Sequence, residues 1–319
     1  MVSHDAGGAE VLSAWCGEQI SQVRLFLCVR GPAKTIFHRD WPDLPLVSLD
    51  FISGMSKDDL VLTGTSLEDR TEFQAWQSAR GYGIPSVCVL DHWDMYRERF
   101  PPGPEFEATL PDRIWVGDKY AMEKALVSGF PMEKLVRFEN PYFRKIVAQA
   151  HNVEHAGVAA APGLRLLYIC EPVSLKLSAA FPGEDHLYAN ELEMMTGFLK
   201  ECGRHTNDVT GITIRLHPRE SGEKYRQIIE RDGAGLPVRL SHGTSLVEDI
   251  VGHDVVVGIE SMGLVVAALL GKKVFSCIPG KWWNISLPHR EINRVHSFDN
   301  IFTDASRSSN QSYNGKYHE

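Results

Sequence analysis

No two cysteines in this 319-residue sequence lie close enough to form a CxxC motif. The six that occur, Cys16, Cys28, Cys88, Cys170, Cys202 and Cys277, are scattered singly through apolar segments. That spacing excludes the usual zinc and redox dithiol motifs and fits a reducing, cytoplasmic setting. Long hydrophobic runs are missing too. The longest, near Met262–Leu270, is far too short for a bilayer. No charged-then-apolar leader precedes the first helical pattern, so no secretory signal is expected. Positive charge is in deficit: 33 Lys and Arg stand against 41 Asp and Glu, a net charge of −8. A generally basic nucleic-acid-binding surface is therefore not expected. There is no GxGxxG, Walker P-loop, HExxH, GxSxG or DxD motif, and no repeat of fixed short period. Dinucleotide binding, P-loop chemistry and metal-dependent transfer thus lack their usual signatures.

What is present is ordinary globular composition, 43% hydrophobic and 23% charged. At roughly 150 residues per domain the length predicts about two domains. Short β-rich runs alternate with helix-length amphipathic stretches, which predicts α/β architecture with parallel sheets. In the first half, strands are expected at Val23–Val29, Leu60–Thr63, Ser86–Leu90, Arg113–Val116 and Leu135–Phe138, with Met1–His4 as the last piece of a first strand. Helices are expected at Ala9–Ile20, Leu67–Arg80, Lys119–Ser128 and Arg144–Ala150. An Ala-rich break over 152–163 reads as a linker. The alternation then restarts, with strands at Leu166–Cys170, Gly211–Leu216, Val238–Leu240, Val255–Gly258 and Lys273–Cys277. The helices between them are His186–Cys202, Glu223–Arg231, Ser245–Val251 and Gly263–Leu270. Residues 1–151 and 164–303 are thus expected to form two Rossmann-like domains facing a cleft, and the polar stretch 304–319 a disordered tail. In such sheets ligands bind at the carboxyl ends of the strands.

Five segments at expected strand ends carry chemistry. In the first, His4-Asp5-Ala6-Gly7-Gly8, Gly7 and Gly8 would admit close backbone approach at a helix N-terminus, with Asp5 as cleft residue or plain cap. In the second, Thr63-Gly64-Thr65-Ser66, Gly64 and Thr65 would face the cleft while Ser66 caps the next helix. The third, Leu90-Asp91-His92-Trp93-Asp94-Met95-Tyr96-Arg97-Glu98-Arg99-Phe100, crowds carboxylates, an imidazole, aromatics and arginines at one strand end. Asp91 and His92 are its candidate general bases; the competing reading is a surface ion-pair network around Trp93. In the fourth, His217-Pro218-Arg219, Pro218 forces an extended strand tip, so His217 and Arg219 could stabilise a leaving phosphate. In the fifth, Glu260-Ser261-Met262-Gly263, the hydroxyl of Ser261 and the adjoining N–H groups, Met262 included, could face an anion. Glu171, after the strand Leu166–Cys170, could reach a ribose or base. Trp282-Trp283 reads as packing, and Met194 and Met195 as core.

The fourth and fifth segments together, a strand ending in His-Pro and then strand–Gly-x-x-Ser–apolar helix–Gly-Lys-x-Val, resemble the carboxyl half of GT-B-fold glycosyltransferases. The layout looks most like the bacterial sialyltransferase and polysialyltransferase group and its capsule-type relatives. The resemblance covers 212–277 most specifically. It implies that His217 and Ser261 contact the donor phosphate and that the amino half carries the acceptor site and the base. It also implies an inverting, metal-independent transfer with no cofactor, a nucleotide sugar (CMP- or UDP-linked) serving as co-substrate. The acceptor would be a glycan or small molecule in polysaccharide biosynthesis. The layout is similar as well to hydrolysing nucleotide-sugar 2-epimerases. Those carry an acidic pair just after the serine, where this chain has Met262-Gly263-Leu264-Val265-Val266. A third reading is a non-catalytic GT-B scaffold that binds a nucleotide or a protein partner.

Overall fold

The computed structural model describes residues 1–67, 69–103, 106–155, 163–174, 190–217, 220–278 and 287–305. The chain divides into two compact units, Met1–Lys145 and Ile146–Glu319. Among the described residues each unit holds one six-stranded sheet in which every strand pairing is parallel.

In the first unit the strands are β1 (Val2–Ser3), β2 (Cys28–Val29), β3 (Val61–Thr63), β4 (Ser86–Leu90), β5 (Arg113–Val116) and β6 (Leu135–Arg137). Every residue of β4 is buried, as a parallel strand covered on both faces requires. Its Val87 and Val89 pack with Ala9, Val11 and Leu12 of helix α1 (Ala6–Gln19) on one face. On the other face, Val2 and Val61 meet Ala75 and Ala79 of a helix over Thr71–Tyr82. Only Cys28–Val29 of the expected Val23–Val29 run pairs as a strand; Leu27 adds an isolated bridge to Leu46. Elements where none was expected include a helix over Ala33–Asp40, a 3-10 turn over Leu49–Gly54 and a short helix over Phe106–Thr109.

The second unit carries β7 (Leu164–Ile169), β8 (Val209–Arg215), β9 (Val238–Leu240), β10 (Val255–Gly258), β11 (Lys273–Cys277) and β12 (Ile292–Val295). Its core joins Leu166 and Tyr168 of β7, Val255 and Val257 of β10, and Met194, Met195 and Phe198 of a helix over Glu191–Arg204. Asn190 caps that helix in a reciprocal box with Glu193, and Ser245 does the same with Glu248 for a helix over Leu246–Val251. The strand Ile292–Val295 and the helix Asp299–Ala305 are additions to the expected pattern.

Residues 152–155, expected to open a linker, continue the helix Pro141–His155. The rest of the expected linker up to 162, Trp282-Trp283 and the stretch 306–319 lie outside the described residues.

Strand order locates the places where ligands can enter. In the first sheet the order is β2-β1-β3-β4-β5-β6, so the chain leaves β1 to one side and returns to its other side at β3. In the second it is β12-β11-β10-β7-β8-β9, so the reversal falls between β7 and β10. At each reversal the connecting segments diverge and leave a crevice at the carboxyl edge of the sheet.

Candidate functional site

The β1/β3 crevice is built from residues just beyond the strand ends. Ser3 ends β1, and His4 and Asp5 follow before α1 begins. Asp5 occupies the N-cap position but makes no capping hydrogen bond. Its Oδ1 instead faces His4 Nδ1 at 2.7 Å and accepts from Ser66 Oγ at 2.8 Å. Ser66, expected to cap the following helix, is thus spent on Asp5 and on the Asp69 amide, 3.1 Å away, and that helix starts only at Thr71. His4 Nε2 lies over Gly31, whose φ of +47° suits glycine and where a Cβ would come within 2.5 Å of the ring.

Beneath this pair lies Glu72, 1% exposed, whose Oε1 accepts from the His4 amide at 2.8 Å. Its Oε2 is buried without a hydrogen-bond partner. Burial, with the Asp5 and Asp69 charges adding to it, pushes the Glu72 carboxyl up to about 7. For His4, burial pulls the imidazolium down, but the Asp5 hydrogen bond and the charges of Asp5, Asp69 and Glu72 outweigh it, so the net shift is upward.

Asp91, at the end of β4, is turned toward α1. A Cβ at Gly7 would collide with its Oδ2. Its Oδ1 pairs with Arg99 Nη1 at 3.2 Å, and both side chains are about one-tenth exposed. Burial pushes the Asp91 carboxyl up, and the Arg99 guanidinium reverses this only in part. Arg99 Nη1 also reaches Thr65 O and Oγ1 at 3.2 Å each. Thr65 is fully buried, so it braces the loop after β4 rather than lining the crevice. Gly64 and Gly8 are back to back: a Cβ on Gly8 would lie 3.2 Å from the Gly64 Cα. These glycines hold α1 close to the end of β3. His92 is half-buried beside Trp93, their ring centroids 5.8 Å apart. Trp93 is itself buried and donates to Asp118 Oδ2 at 2.8 Å. The segment 91–100 therefore combines a packed aromatic anchor with a charged pair, and its Met95 takes a left-handed backbone, φ 51°.

Sequence reasoning placed Arg99 in this segment without pairing it with Asp91, and it missed Glu72. Glu72 had a readable signal: it is in phase with Ala75, Trp76 and Ala79, the buried stripe of its helix.

The β7/β10 crevice is built from backbone more than from charge. Ser261 is the N-cap of the helix Met262–Leu269, its Oγ accepting from the Gly263 amide at 3.1 Å. Met262 is half-buried at the first turn. A Cβ on Gly263 would lie 2.7 Å from Ile169 Cδ1, so glycine lets this helix start against the end of β7. Glu171 is buried, and its Oε2 accepts from the Glu260 amide at 2.8 Å. It thereby straps β7 to β10 across the reversal and is turned inward rather than toward a ribose. Glu260 is buried as well. His217, half-buried, follows the next strand, β8. With strands about 4.8 Å apart, the ends of β8, β7 and β10 lie within roughly 10 Å. His217 and Ser261 are so brought to one edge, with Glu171 between. Arg219 lies outside the described residues.

Solved structures of other proteins match this architecture along nearly the whole chain. A UDP-GlcNAc 2-epimerase from Methanocaldococcus jannaschii matches with a TM-score of 0.66 at 10% identity, over 99% of this chain and 93% of that one. The Neisseria meningitidis UDP-GlcNAc 2-epimerase bound to UDP-GlcNAc gives 0.64 at 13%, over 96% and 90%. Anabaena HepE in complex with UDP-glucose gives 0.58 at 11%, over 96% and 88%. The fold is of the GT-B type. None of these three is a sialyltransferase, so the finer likeness expected from the His-Pro and Ser segments is not shown. No protein-family model matches the sequence, and no curated protein does. Among the described residues no helix is long and apolar enough to cross a membrane.

Proposed function

We propose that this GT-B-fold protein is an enzyme acting on a nucleotide sugar, and that it transfers the sugar to a glycan or small-molecule acceptor. The observation that carries the reading is the helix N-terminus at Ser261, opening at the β7/β10 reversal with His217 at a neighbouring strand end. The positive end of a helix dipole, a hydroxyl and an imidazole suit a nucleotide's phosphates, whose charge grows as the sugar leaves. The neighbours bound to UDP-GlcNAc and UDP-glucose support a UDP-linked donor over a CMP-linked one.

In the first unit, Asp91 is the candidate general base, with His92 beside it. Burial holds the Asp91 carboxyl above its ordinary range, so it can take a proton from an attacking hydroxyl. Arg99 fixes its direction and Gly7 leaves room for its second oxygen. The His4–Asp5 pair, tied to Ser66, is a second acid–base group of the same crevice.

Hydrolysing 2-epimerisation is the second reading, favoured by the epimerases among the neighbours. Against it stands the apolar run Met262–Val266 after Ser261. Incubation with UDP-GlcNAc and UDP-glucose, with and without glycan acceptors, separates the two. Acceptor-dependent UDP release supports transfer. Acceptor-independent release of a C2-inverted sugar supports epimerisation. Absence of any UDP binding by calorimetry overturns both.

A further inference from the structure

A second cluster of polar side chains lies on the seam between two helices of the second unit. Glu201 is in the last turn of the helix Glu191–Arg204, and His205 is the residue that ends it. Four residues apart, they share one helix face. Asp299 opens the helix Asp299–Ala305. One donor atom from each of the three lies within 4.8 Å of the other two.

We propose that Glu201, His205 and Asp299 form a binding site for a divalent transition-metal ion of the zinc class. The spacing carries this first. Glu201 Oε1 and His205 Nε2 are 3.4 Å apart, and Oε1 makes no hydrogen bond among the described residues. That is long for a hydrogen bond between nitrogen and oxygen. It equals the edge of a tetrahedron of ligands about a zinc ion, roughly 3.3–3.6 Å for bonds of about 2.0–2.2 Å. The smaller octahedral spacing of magnesium, with cis edges of about 3.0 Å, fits less well.

The groups behind the cluster are those that fix metal ligands. Arg204 Nη1 holds the other Glu201 oxygen at 2.6 Å, so a single oxygen of the nine-tenths-buried carboxylate is left to bind. Asp208 Oδ2 lies 3.8 Å from His205 Nδ1, a nearby negative charge beyond hydrogen-bond distance. The His205 ring stacks on Phe302, centroids 4.1 Å apart and planes within 8°. Phe298, from the same seam, packs on Phe198 at 5.8 Å. The imidazole is thus positioned before any ion arrives, and a water completes the fourth position. The ion would pin the helix carrying Asp299 to the helix carrying Glu201 and His205.

The test is calorimetric titration of the full chain with zinc, and visible absorption with cobalt(II) as the tetrahedral reporter, at neutral pH and without chelator. One zinc per chain is expected, with a rise in melting temperature and tetrahedral cobalt bands. His205→Ala should lose the site. Asp299→Asn, at an exposed position that leaves packing intact, should weaken it by at least the roughly 10–100-fold that outer-partner losses cost. No stoichiometric binding to the full chain overturns the proposal. So does zinc or cobalt binding of unchanged affinity in both variants, which assigns the ion to other histidines. Zinc binding is read without nucleotide or sugar, so its failure leaves the proposed nucleotide-sugar reading untouched, and the converse holds.

Discussion

The two crevices share a topology and differ in what lines them. At β1/β3 the lining is ionisable: His4, Asp5, Asp69 and Glu72 interact, and the Asp91–Arg99 pair stands at the next strand end. At β7/β10 the carboxylate of Glu171, which spans the reversal, is turned inward onto a backbone amide, and a helix N-terminus stands at the opening. A parallel sheet supplies only the location. The side chains after each strand decide whether that location moves protons or holds an anion.

Breaking the charged crevice should have the larger effect. Asp91→Asn is expected to lower turnover of a nucleotide-sugar substrate by roughly 10²–10⁴-fold while nucleotide affinity is kept, read from kcat and from calorimetry on the same sample. Breaking the other crevice should invert that pattern. His217→Ala is expected to weaken nucleotide binding by about 10–100-fold, the loss of one hydrogen bond to a charged group, without unfolding the chain.

The pH dependence of stability sharpens the contrast. Glu72 is held at about 7 in the fold, against 4.5 ordinarily. Between those values the native state keeps a proton that the unfolded state has released, so stability falls as pH rises through this window. The loss amounts to about 3 kcal/mol by pH 8. Glu72→Gln should flatten denaturant midpoints over pH 4.5–7.5 and stabilise the protein above pH 7. The smallest effect is expected at Ser261→Ala, about 1 kcal/mol from a lost helix cap, measured as a lower urea midpoint. A Ser261→Ala variant that also loses nucleotide affinity would assign the hydroxyl to the ligand as well as to the cap.

Much of this was legible in the sequence, for identifiable reasons. Ser86–Leu90, Arg113–Val116, Val238–Leu240, Val255–Gly258 and Lys273–Cys277 are strands with the expected bounds. Ser86–Leu90, Val255–Gly258 and Lys273–Cys277 are legible as short apolar runs of buried parallel strands between turns, whereas Val238–Leu240 is a half-exposed edge strand. The helix Ala33–Asp40 was hidden by polar composition, and Ile292–Val295 by a pattern with two polar residues between two apolar ones. At the crevices, strand-end segments were visible but partnerships were not. Ser66 looks like a cap in one dimension, and only the β1/β3 adjacency brings Asp5 to it. Arg99 is eight residues beyond Asp91 and meets it because a loop anchored by Trp93 folds back.

The scattered thiols have a use of their own. All six cysteines are free and buried, and three belong to each unit. Burial pushes Cys16 in the first unit and Cys277 in the second up to about 12, so neither presents a reactive thiolate at neutral pH. A thiol reagent can then modify them only during an opening event, at a rate set by how often their surroundings come apart. Peptide-resolved labelling of the unmutated chain would therefore clock the breathing of each half separately, with three built-in reporters on either side.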